Sequence, residues 1–462
     1  MLLKTKLDNM KSFLKNDNVL AKLEERYCYA KDALNINSNY KVPDLVVFVE
    51  TIEEVQKIVS YANQHEIPIV SRGAGTNMVG ACVCNKGGII LNFSKMNKIL
   101  EINPTNMVAR VQPGVVLGDL KREVEKYSLF YPPDPSSYSV ATVGGSIAQS
   151  SGGAMSFKYG TTKDYVLSLK VVTADGSLIQ LGAETSKNSS GYHLTQLMVG
   201  SEGTLGVIVE ATLKLIPKPI KESVLLAHFS SYADAINVVN KIVENQVFPA
   251  AIDFMDKNSI STVEDYIHCG LNLDAKCLIL IQLDGSEQSI DEQIRKTKQI
   301  LDDSNAIDIM IPASKDEAEE IWKARRSSFS AATRLAPDVV SDDVIVPRVR
   351  LIEMLNKIDE ISQKYSLKVC TVGHIGDGNL HPQFVLNLEN ELEARNYLSA
   401  KAELFSYVKD LEGAISAEHG IGIEKLPYLE NTIDSGALDY MRQIKKIFDP
   451  KNILNPGKIF NL

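Results

Sequence analysis

The chain has 462 residues, of which 44% are hydrophobic and 23% charged, a composition typical of a soluble globular protein. This length predicts two or three domains, because a single hydrophobic core rarely grows beyond about 250–300 residues. The net charge of −9 and the lack of a basic cluster argue against nucleic-acid binding, and apolar runs such as residues 45–49 are too short to span a membrane.

The N-terminal segment, residues 1–42, is predicted to be helical. Residues 1–27 have an amphipathic pattern with lysines throughout. They lack the continuous apolar stretch of a secretory signal, so we expect a cytoplasmic protein. The six cysteines have neither zinc-site nor disulfide-framework spacing, and we expect reduced thiols.

A glycine-rich region, residues 43–217, is predicted to form the first domain. Short β-branched stretches between turns predict strands at residues 44–50, 88–93, 107–114 and 166–182. Residues 51–67 are amphipathic and predict a helix, which would begin with a capping box from Thr51 to Glu54.

Residues 218–413 have a different pattern and predict a second domain. Long amphipathic helices, at residues 231–247 and 290–304, alternate with strands such as residues 277–285. This alternation indicates an open sheet with helices on one side, an α+β fold. Residues 414–462 regain glycine and proline and are predicted to form a separate C-terminal segment.

Three glycine-rich segments of the first domain predict a cofactor site. In residues 70–80, VSRGAGTNMVG, backbone can approach a ligand closely and present successive N–H groups to an anion, although a tight surface loop is the alternative. This segment has neither GxGxxG spacing nor the Walker lysine, so it matches Rossmann and P-loop sites poorly. Residues 132–166 are poor in charge and suit a buried, extended cofactor. The third segment, residues 198–217, is a glycine turn that leads into a strand.

The stretch GHIGDGNLHP, residues 373–382, contains two of the seven histidines. Its Asp-Gly pair at residues 377–378 predicts a two-residue hairpin turn, which would place His374 directly opposite His381 on one face of a sheet. Two imidazoles so placed can bind one divalent ion. The alternative is a buried pair of hydrogen-bonded histidines.

A metal ion at this hairpin needs further ligands. The stretch SAEHGIG, residues 416–422, offers Glu418 and His419 side by side. Two histidines and one carboxylate with open positions are typical of a catalytic metal site, and they are compatible with Zn, Fe(II) or Mn.

Six motifs occur in order from about Pro43 to Pro456: RGAGT, ATVGGSIA…SGG…KYG, GSEGTLGVI, GHIGDGNLHP, AEHGIG and NPGK. In this combination the chain resembles the flavoprotein superfamily of vanillyl-alcohol oxidase and p-cresol methylhydroxylase. Within it, the resemblance is to glycolate oxidase D subunits, D-lactate dehydrogenases and D-2-hydroxyglutarate dehydrogenases. It implies an α+β fold with a two-lobed FAD-binding domain of the p-cresol methylhydroxylase type. It also implies an α+β, ferredoxin-like substrate cap domain and a C-terminal segment that returns to the FAD-binding domain.

The resemblance implies an FAD cofactor. Some relatives bond the flavin covalently through a histidine, but residues 71–80 contain none, so we expect non-covalent FAD. Ser146 and Gln149 depart from the Asn and Glu that relatives often carry. The residues that match the family's cofactor-binding positions are Arg72, Gly73, Ala74, Gly75, Thr76, Asn77, Pro133, Thr142, Gly144, Gly145, Ala148, Gly152, Gly153, Gly203, Gly206, Ile208 and Asn455.

The resemblance also implies a divalent metal, Zn, Fe or Mn, and assigns roles around it. The residues that match the family's metal ligands are His374, His381 and Glu418. His419 matches the base that takes the hydroxyl proton. Arg325, in EEIWKARRSSFS, matches the arginine that holds the substrate carboxylate, and its neighbour Arg326 is the alternative.

The implied reaction is FAD-dependent oxidation of a small D-2-hydroxy acid, D-lactate or glycolate, to the 2-oxo acid. Members that act on 2-hydroxyglutarate use an extra lysine for the distal carboxylate. That lysine aligns to about Ser341, and no basic residue is adjacent in the sequence. The alternatives are a D-2-hydroxyglutarate dehydrogenase, a sugar or amino-alcohol oxidase of the same superfamily, an electron-carrier flavoprotein and a structural metal-binding module.

No motif identifies the electron acceptor. The chain has neither a nicotinamide fingerprint after a strand nor an iron–sulfur cysteine cluster. The expected partners are a small 2-hydroxy acid and a redox acceptor. The acceptor would be a protein, such as an electron-transferring flavoprotein, a cytochrome or an iron–sulfur subunit, or a quinone. We expect no nucleic-acid partner and no integral membrane segment.

Overall fold

The computed structural model describes residues 2–33 and 41–462, so residues 1 and 34–40 of the predicted N-terminal segment lie outside the description. The helices in the described residues are α1 Leu2–Lys11, α2 Leu23–Tyr27, α3 Ile52–His65, α4 Leu117–Glu125, α5 Val143–Gln149, α6 Ser156–Tyr159, α7 Leu194–Met198, α8 Tyr232–Glu244, α9 Lys257–Ile267, α10 Glu287–Asp302, α11 Lys315–Arg326, α12 Ser328–Ala332, α13 Leu351–Lys364, α14 Glu391–Asp410, α15 Leu426–Thr432 and α16 Ser435–Phe448. The strands are β1 Val19–Leu20, β2 Leu45–Phe48, β3 Ile69–Arg72, β4 Ile89–Asn92, β5 Ile99–Asn103, β6 Val108–Val111, β7 Leu129–Phe130, β8 Val166–Val172, β9 Leu178–Gly182, β10 Val207–Lys214, β11 Ile216–Pro217, β12 Lys221–Phe229, β13 Ala251–Asp256, β14 Cys277–Gly285, β15 Ala306–Met310, β16 Asp338–Ser341, β17 Val344–Ile345, β18 Lys368–His374 and β19 Asn379–Leu386.

The start of the chain is not one continuous helix. A 3₁₀ turn, Asn16–Asn18, and strand β1 separate α1 from α2, and β1 pairs antiparallel with β2. The prediction of a helix over residues 1–27 is therefore wrong in its middle, because pairing with β2 overrides the helical spacing of the apolar residues.

The first four strands form a sheet in the order β1-β2-β4-β3, in which β2, β4 and β3 run parallel. The predicted helix at residues 51–67 is confirmed as α3, and the Thr51 side chain caps it by accepting the N–H of Glu54 at 3.2 Å. The Glu54 carboxylate accepts the N–H of Glu50 instead of Thr51. The capping interaction is therefore displaced by one residue from the predicted box.

Five further strands form an antiparallel sheet in the order β5-β6-β10-β8-β9. The four strand predictions in the glycine-rich region are confirmed, and the last of them, residues 166–182, is the β8–β9 hairpin. Val207 and Val209 of β10 belong to the core of the parallel sheet, whereas Ala211 belongs to the core under α4. Strand β10 therefore joins the two lobes of this half of the molecule.

The other half is an eight-stranded antiparallel sheet, with strands in the order β15-β12-β14-β13-β18-β19-β16 and β17 paired to β19. Leu225 and Ala227 of β12 pack with α8, α10, α13 and α14, whereas Val224 and Leu226 pack with α9 and α11. Helices thus cover both faces, which corrects the prediction of helices on one side. The physical reason is that β14 is apolar at nearly every position and buries both of its faces.

The histidine hairpin forms, but its register differs from the prediction. His374 pairs with Asn379, and His381 pairs with Val372, so four residues make the loop. Ile375 is fully buried in the core and cannot pair with Leu380 across a two-residue turn. The register is displaced by two residues, so both imidazoles still lie on the same face, as diagonal neighbours.

The C-terminal segment, residues 414–462, contacts both halves of the molecule. Ala414 forms a bridge with Ile345 of β17, and Leu454 forms a parallel bridge with Ile69 of β3. Between them the chain crosses the boundary in an irregular stretch, residues 416–422, before α15 and α16. This stretch contains Glu418 and His419.

Candidate active site

A narrow cleft of about 190 Å³ lies among the glycine-rich loops. Nine of the residues that match cofactor-binding positions line it: Gly73, Ala74, Gly75, Thr76, Asn77, Thr142, Gly145, Ala148 and Gly203. Sequence analysis did not assign its other lining residues, among them Ser71, Cys82, Ser136, Ser137, Gln149 and Glu202. The three glycine-rich segments therefore converge on one cleft.

The other matched residues lie in or behind the walls of this cleft, apart from Gly153, which lines a second cavity. A Cβ at Gly75 would collide with the Arg72 guanidinium, and a Cβ at Gly206 would collide with Val171. Asn455 donates to the carbonyl oxygens of Ala81 and Glu202 at 2.8 and 2.6 Å. The residues with no direct lining contact are Arg72, Pro133, Gly144, Gly152, Gly206, Ile208 and Asn455.

The cleft is lined mostly by uncharged residues and glycine backbone, and it suits an extended ligand such as the FAD ribityl and pyrophosphate chain. A Cβ at Gly73 would strike Thr142, so the first two glycine segments approach each other closely. Gln149 lines the cleft, and its buried Oε1 has no hydrogen-bond partner among the described residues. A polar cofactor could pack closely against the glycine backbone and donate a hydrogen bond to the unpaired buried acceptor.

A larger cavity of about 750 Å³ adjoins the cleft and shares Glu418 and His419 with it. Its floor is the face of the eight-stranded sheet that carries α9, and its wall includes Trp322 and Arg325 of α11. The polar side chains that the central strands of the sheet contribute include Gln282, Asp253, Ser341, His374, His381 and Gln383, and β12 adds Lys221 and Glu222. Glu418 and His419 thus lie where the two cavities meet.

Two imidazoles and one carboxylate converge at this boundary. His374 Nε2 lies 3.7 Å and His381 Nε2 lies 3.3 Å from the same oxygen, Glu418 Oε1. His374 Nδ1 lies 2.7 Å from Asp253 Oδ1, which turns Nε2 of that ring toward Glu418. One ligand atom from each of the three residues lies within 4.8 Å of the others, a spacing that a single divalent ion can occupy.

The charges around this cluster favour a cation. Burial disfavours the charged form of His374, but the adjacent Asp253 and Glu418 carboxylates outweigh it and raise the pKa of His374 well above its ordinary value. Burial opposes ionisation of Glu418 as well, yet hydrogen bonds from His374 and His381 lower its pKa. The donor set therefore fits a divalent metal, with Asp253 orienting one imidazole as metal-site carboxylates do.

His419 faces both cavities. Its ring stacks on His381 with centroids 5.0 Å apart, and its buried Nδ1 has no partner among the described residues. Burial lowers the pKa of His419, although the nearby Asp343 acts in the opposite direction. The imidazole is therefore neutral at neutral pH and able to accept a proton.

Arg325 and Arg326 have different environments. Arg325 is buried, and its Nε lies 2.8 Å from Asp253 Oδ2, the second oxygen of the carboxylate that contacts His374. Arg326 is about a third exposed and pairs with Glu319. Both arginines line the larger cavity, but Arg325 is the one that lies beside the cluster, whereas Arg326 is partly exposed to solvent.

Two buried carboxylates hold these residues, and sequence analysis did not find them. Asp253 contacts both His374 and Arg325. Asp343 lies beneath the Glu418–His419 backbone, and although burial opposes its ionisation, the Lys425 ammonium and the backbone N–H of His419 help to hold the pKa of Asp343 well below its usual range. The sequence does carry one signal for them, a charged residue within or beside an apolar strand. Such a residue is predicted to be buried, and a buried carboxylate requires a partner.

The sequence matches two family profiles along most of its length. Residues 43–182 match the FAD binding domain, and residues 218–459 match the C-terminal domain of FAD linked oxidases. The chain belongs to the FAD-linked oxidases. It is an FAD-dependent oxidoreductase.

Relatives of this FAD-linked oxidase cover almost all of it. The glycolate oxidase subunit GlcD of Bacillus subtilis is 42% identical over 419 residues, 91% of this chain and 89% of the relative. The D-lactate dehydrogenase of Archaeoglobus fulgidus is 37% identical over 90% of this chain and 91% of its own.

Solved structures share the fold. p-Cresol methylhydroxylase with substrate bound superposes with a TM-score of 0.84 at 16% identity, covering 99% of this chain and 97% of that one. An alkyldihydroxyacetonephosphate synthase superposes with a TM-score of 0.77 at 22% identity, covering 98% and 85%. These likenesses confirm the predicted fold class. In the part of the chain described here, no helix combines the length and apolar character needed to cross a membrane.

Proposed function

We propose that this FAD-linked oxidase oxidises a small 2-hydroxy acid, D-lactate or glycolate, to the 2-oxo acid with the help of a divalent metal ion. The observation that carries the proposal is that ligand atoms of His374, His381 and Glu418 lie within 4.8 Å of one another at the point where the larger cavity meets the glycine-lined cleft. Relatives named glycolate oxidase subunit and D-lactate dehydrogenase support the substrate class.

In the proposed reaction, His419 accepts the substrate hydroxyl proton at a ring nitrogen. Its lowered pKa keeps the imidazole neutral before the reaction. A metal held by the three ligands would acidify that hydroxyl as a Lewis acid. FAD, when bound, supplies the acceptor for the two electrons and the hydrogen that leave the α-carbon.

Arg325 is proposed to hold the substrate carboxylate. Its Nε lies 2.8 Å from Asp253 Oδ2 in an ion pair, and the guanidinium lines the cavity, where its donors can meet a carboxylate. Because Asp253 contacts both Arg325 and His374, the carboxylate-binding group and the metal-binding group keep a fixed relative position.

The floor of the cavity supports a monocarboxylate substrate. Ser341, the position that aligns with the distal-carboxylate lysine of enzymes acting on 2-hydroxyglutarate, pairs with Gln383 on the adjacent strand. Gln282, which also lines the cavity, is uncharged as well. D-2-Hydroxyglutarate is the second candidate, because the cavity volume exceeds what lactate fills and the far wall carries Lys218, Lys221 and Lys315. The ratio of kcat/KM values for D-lactate, glycolate and D-2-hydroxyglutarate decides between them.

The experiment that tests the function is anaerobic mixing of the FAD-loaded protein with D-lactate or glycolate. We expect rapid loss of the oxidised flavin absorbance, abolition of that loss by a metal chelator, and recovery on addition of Zn²⁺, Mn²⁺ or Fe²⁺. Flavin reduction that survives complete metal removal would contradict metal assistance. A cytoplasmic location and a soluble redox partner stay predictions, and titrating the reduced protein with quinones and electron-transfer proteins tests the acceptor.

A further inference from the structure

The stretch that carries Glu418 and His419 has no helix or strand to hold it. Its backbone instead surrounds one buried oxygen, Asp343 Oδ2. The N–H groups of Ala417, Glu418 and His419 donate to this oxygen at 2.8, 3.0 and 2.9 Å, and the Ser416 hydroxyl donates at 2.8 Å. Three consecutive N–H groups that converge on one point normally form a site for an anion. Here a side chain of the chain itself provides the anion.

Every hydrogen-bonding partner of the Asp343 carboxylate is a donor. Asp343 Oδ1 accepts from Asn379 Nδ2 at 2.8 Å. The Ser416 oxygen accepts from the Gly420 N–H at 2.9 Å, so its own proton is directed to Asp343. An asparagine at this position would turn an NH₂ group toward a donor in either orientation of its amide. Only a side chain with an acceptor at both positions, such as a carboxylate, can accept all of these hydrogen bonds.

A second buried carboxylate fixes the other end of the same stretch. The Glu202 side chain accepts the N–H of Ile421 at 2.6 Å and that of Gly422 at 2.9 Å. Glu202 lines the glycine cleft, whereas Asp343 lies at the edge of the eight-stranded sheet. Each half of the molecule therefore holds one end of the loop, and the two anchors can be tested separately.

We propose that Asp343 is a positioning residue that fixes the backbone of Ala417, Glu418 and His419, so that the metal ligand and the base keep their places. The proposal rests on the proposed function for the roles of Glu418 and His419. Asp343 acts through the backbone and touches neither the substrate nor the flavin. Its removal should loosen the loop and weaken metal binding while the glycine cleft still binds FAD.

The test compares Asp343→Asn with Asp342→Asn in the FAD-loaded protein. Asp342 is an equally buried neighbour, but it pairs with Lys401 at 3.2 Å and makes no hydrogen bond to the loop. For Asp343→Asn we expect faster hydrogen exchange of amides 417–419 and divalent-metal binding weaker by about 10- to 100-fold, as for other outer partners of metal ligands. Chelator competition with Zn²⁺ or Mn²⁺ measures the affinity, and FAD content should be unchanged. Asp342→Asn should lower the melting temperature without changing either loop measurement.

A milder variant keeps the test informative if Asp343→Asn fails to fold. Ser416→Ala removes one donor and leaves the carboxylate, so metal binding should weaken by roughly 2- to 10-fold in the same direction. Unchanged amide exchange and metal affinity would overturn the proposal, as would equal loosening in Asp342→Asn, which would indicate a general loss of core stability. If the wild-type protein binds metal but does not oxidise 2-hydroxy acids, the proposed function fails while the amide-exchange comparison still decides the role of Asp343.

Discussion

His419 is the residue on which the proposed chemistry depends most directly, because it lines both cavities and has an unpartnered ring nitrogen. We expect His419→Asn to slow flavin reduction by D-lactate on the order of 100- to 10,000-fold, since asparagine is polar and of similar size but cannot accept the proton. Anaerobic stopped-flow measures the rate, and metal content is determined on the same samples. Loss of metal from the variant would instead make His419 a ligand.

The pH dependence follows from the environment of the same ring. Burial lowers the pKa of His419, although Asp343 and Glu418 oppose this and His381 and Lys425 reinforce it. A base acts in its neutral form, and a lowered pKa extends that form to lower pH. The midpoint of the acid-side decline in the single-turnover rate should therefore lie below the ordinary imidazole value of about 6.5. A midpoint above this value would contradict the environment described for His419.

The two adjacent arginines provide a matched pair. We expect Arg325→Lys to lower kcat/KM for the hydroxy acid by roughly ten- to a hundred-fold, because an ammonium cannot reproduce the planar fork that holds both a carboxylate and Asp253. Arg326→Lys should change it little, because Arg326, although it also lines the cavity, is partly exposed and pairs with Glu319 rather than with Asp253. Steady-state kinetics on both variants tests this, and the reverse pattern would transfer the role to Arg326.

At the level of single elements, the loop of the histidine hairpin contains a glycine, Gly378, that packs closely against the neighbouring backbone. Gly378 has φ of 92°, and a Cβ there would strike the carbonyl oxygen of Val346. Gly270 has a similar φ of 83° but nothing within 4 Å. Alanine at either position incurs about 1–2 kcal/mol of backbone strain, and only Gly378→Ala adds the collision. Thermal unfolding should therefore show a larger loss of stability for Gly378→Ala, and equal losses would contradict the close contact.

The same hairpin shows what the sequence could and could not predict. The Asp-Gly signal correctly indicated a hairpin, and the histidines are on one face. The register was wrong because Ile375 is drawn into the core under the sheet, and local turn preferences carry no information about that contact. Likewise β14 reads as a buried strand, but only the packed structure shows that α9 covers its second face.

The candidate site likewise contains some residues that a local sequence motif identifies and others that only the fold brings into place. Residues carried by distinctive motifs, such as His374, His381 and Glu418, could be named in advance, and the structure brings them together. Asp253 and Asp343 could not, because each acts on residues more than 70 positions away and has no motif of its own. Partners of this kind become visible only when the fold places them.

At the scale of the whole molecule, the proposed metal site and the glycine-lined cleft share Glu418 but are otherwise built from different parts of the chain. The two histidines come from the eight-stranded sheet, whereas the cleft is lined mostly by residues 71–203. We expect His374→Ala to lose bound metal and hydroxy-acid oxidation while retaining a full complement of FAD. Elemental analysis and flavin absorbance of the purified variant test this, and stoichiometric metal in the variant would contradict the ligand assignment.

The position of the loop at residues 416–422 late in the chain has a consequence for biosynthesis. Every strand that the structure describes precedes residue 387, so all of these strands are translated before Glu418 and His419. The bridge between Leu454 and Ile69 forms later still. A nascent chain can thus shape its cofactor cleft early, yet it contains no base beside it. If Glu418 and His419 have the proposed roles, an interrupted translation product that ends before residue 418 would not oxidise hydroxy acids even if it bound FAD.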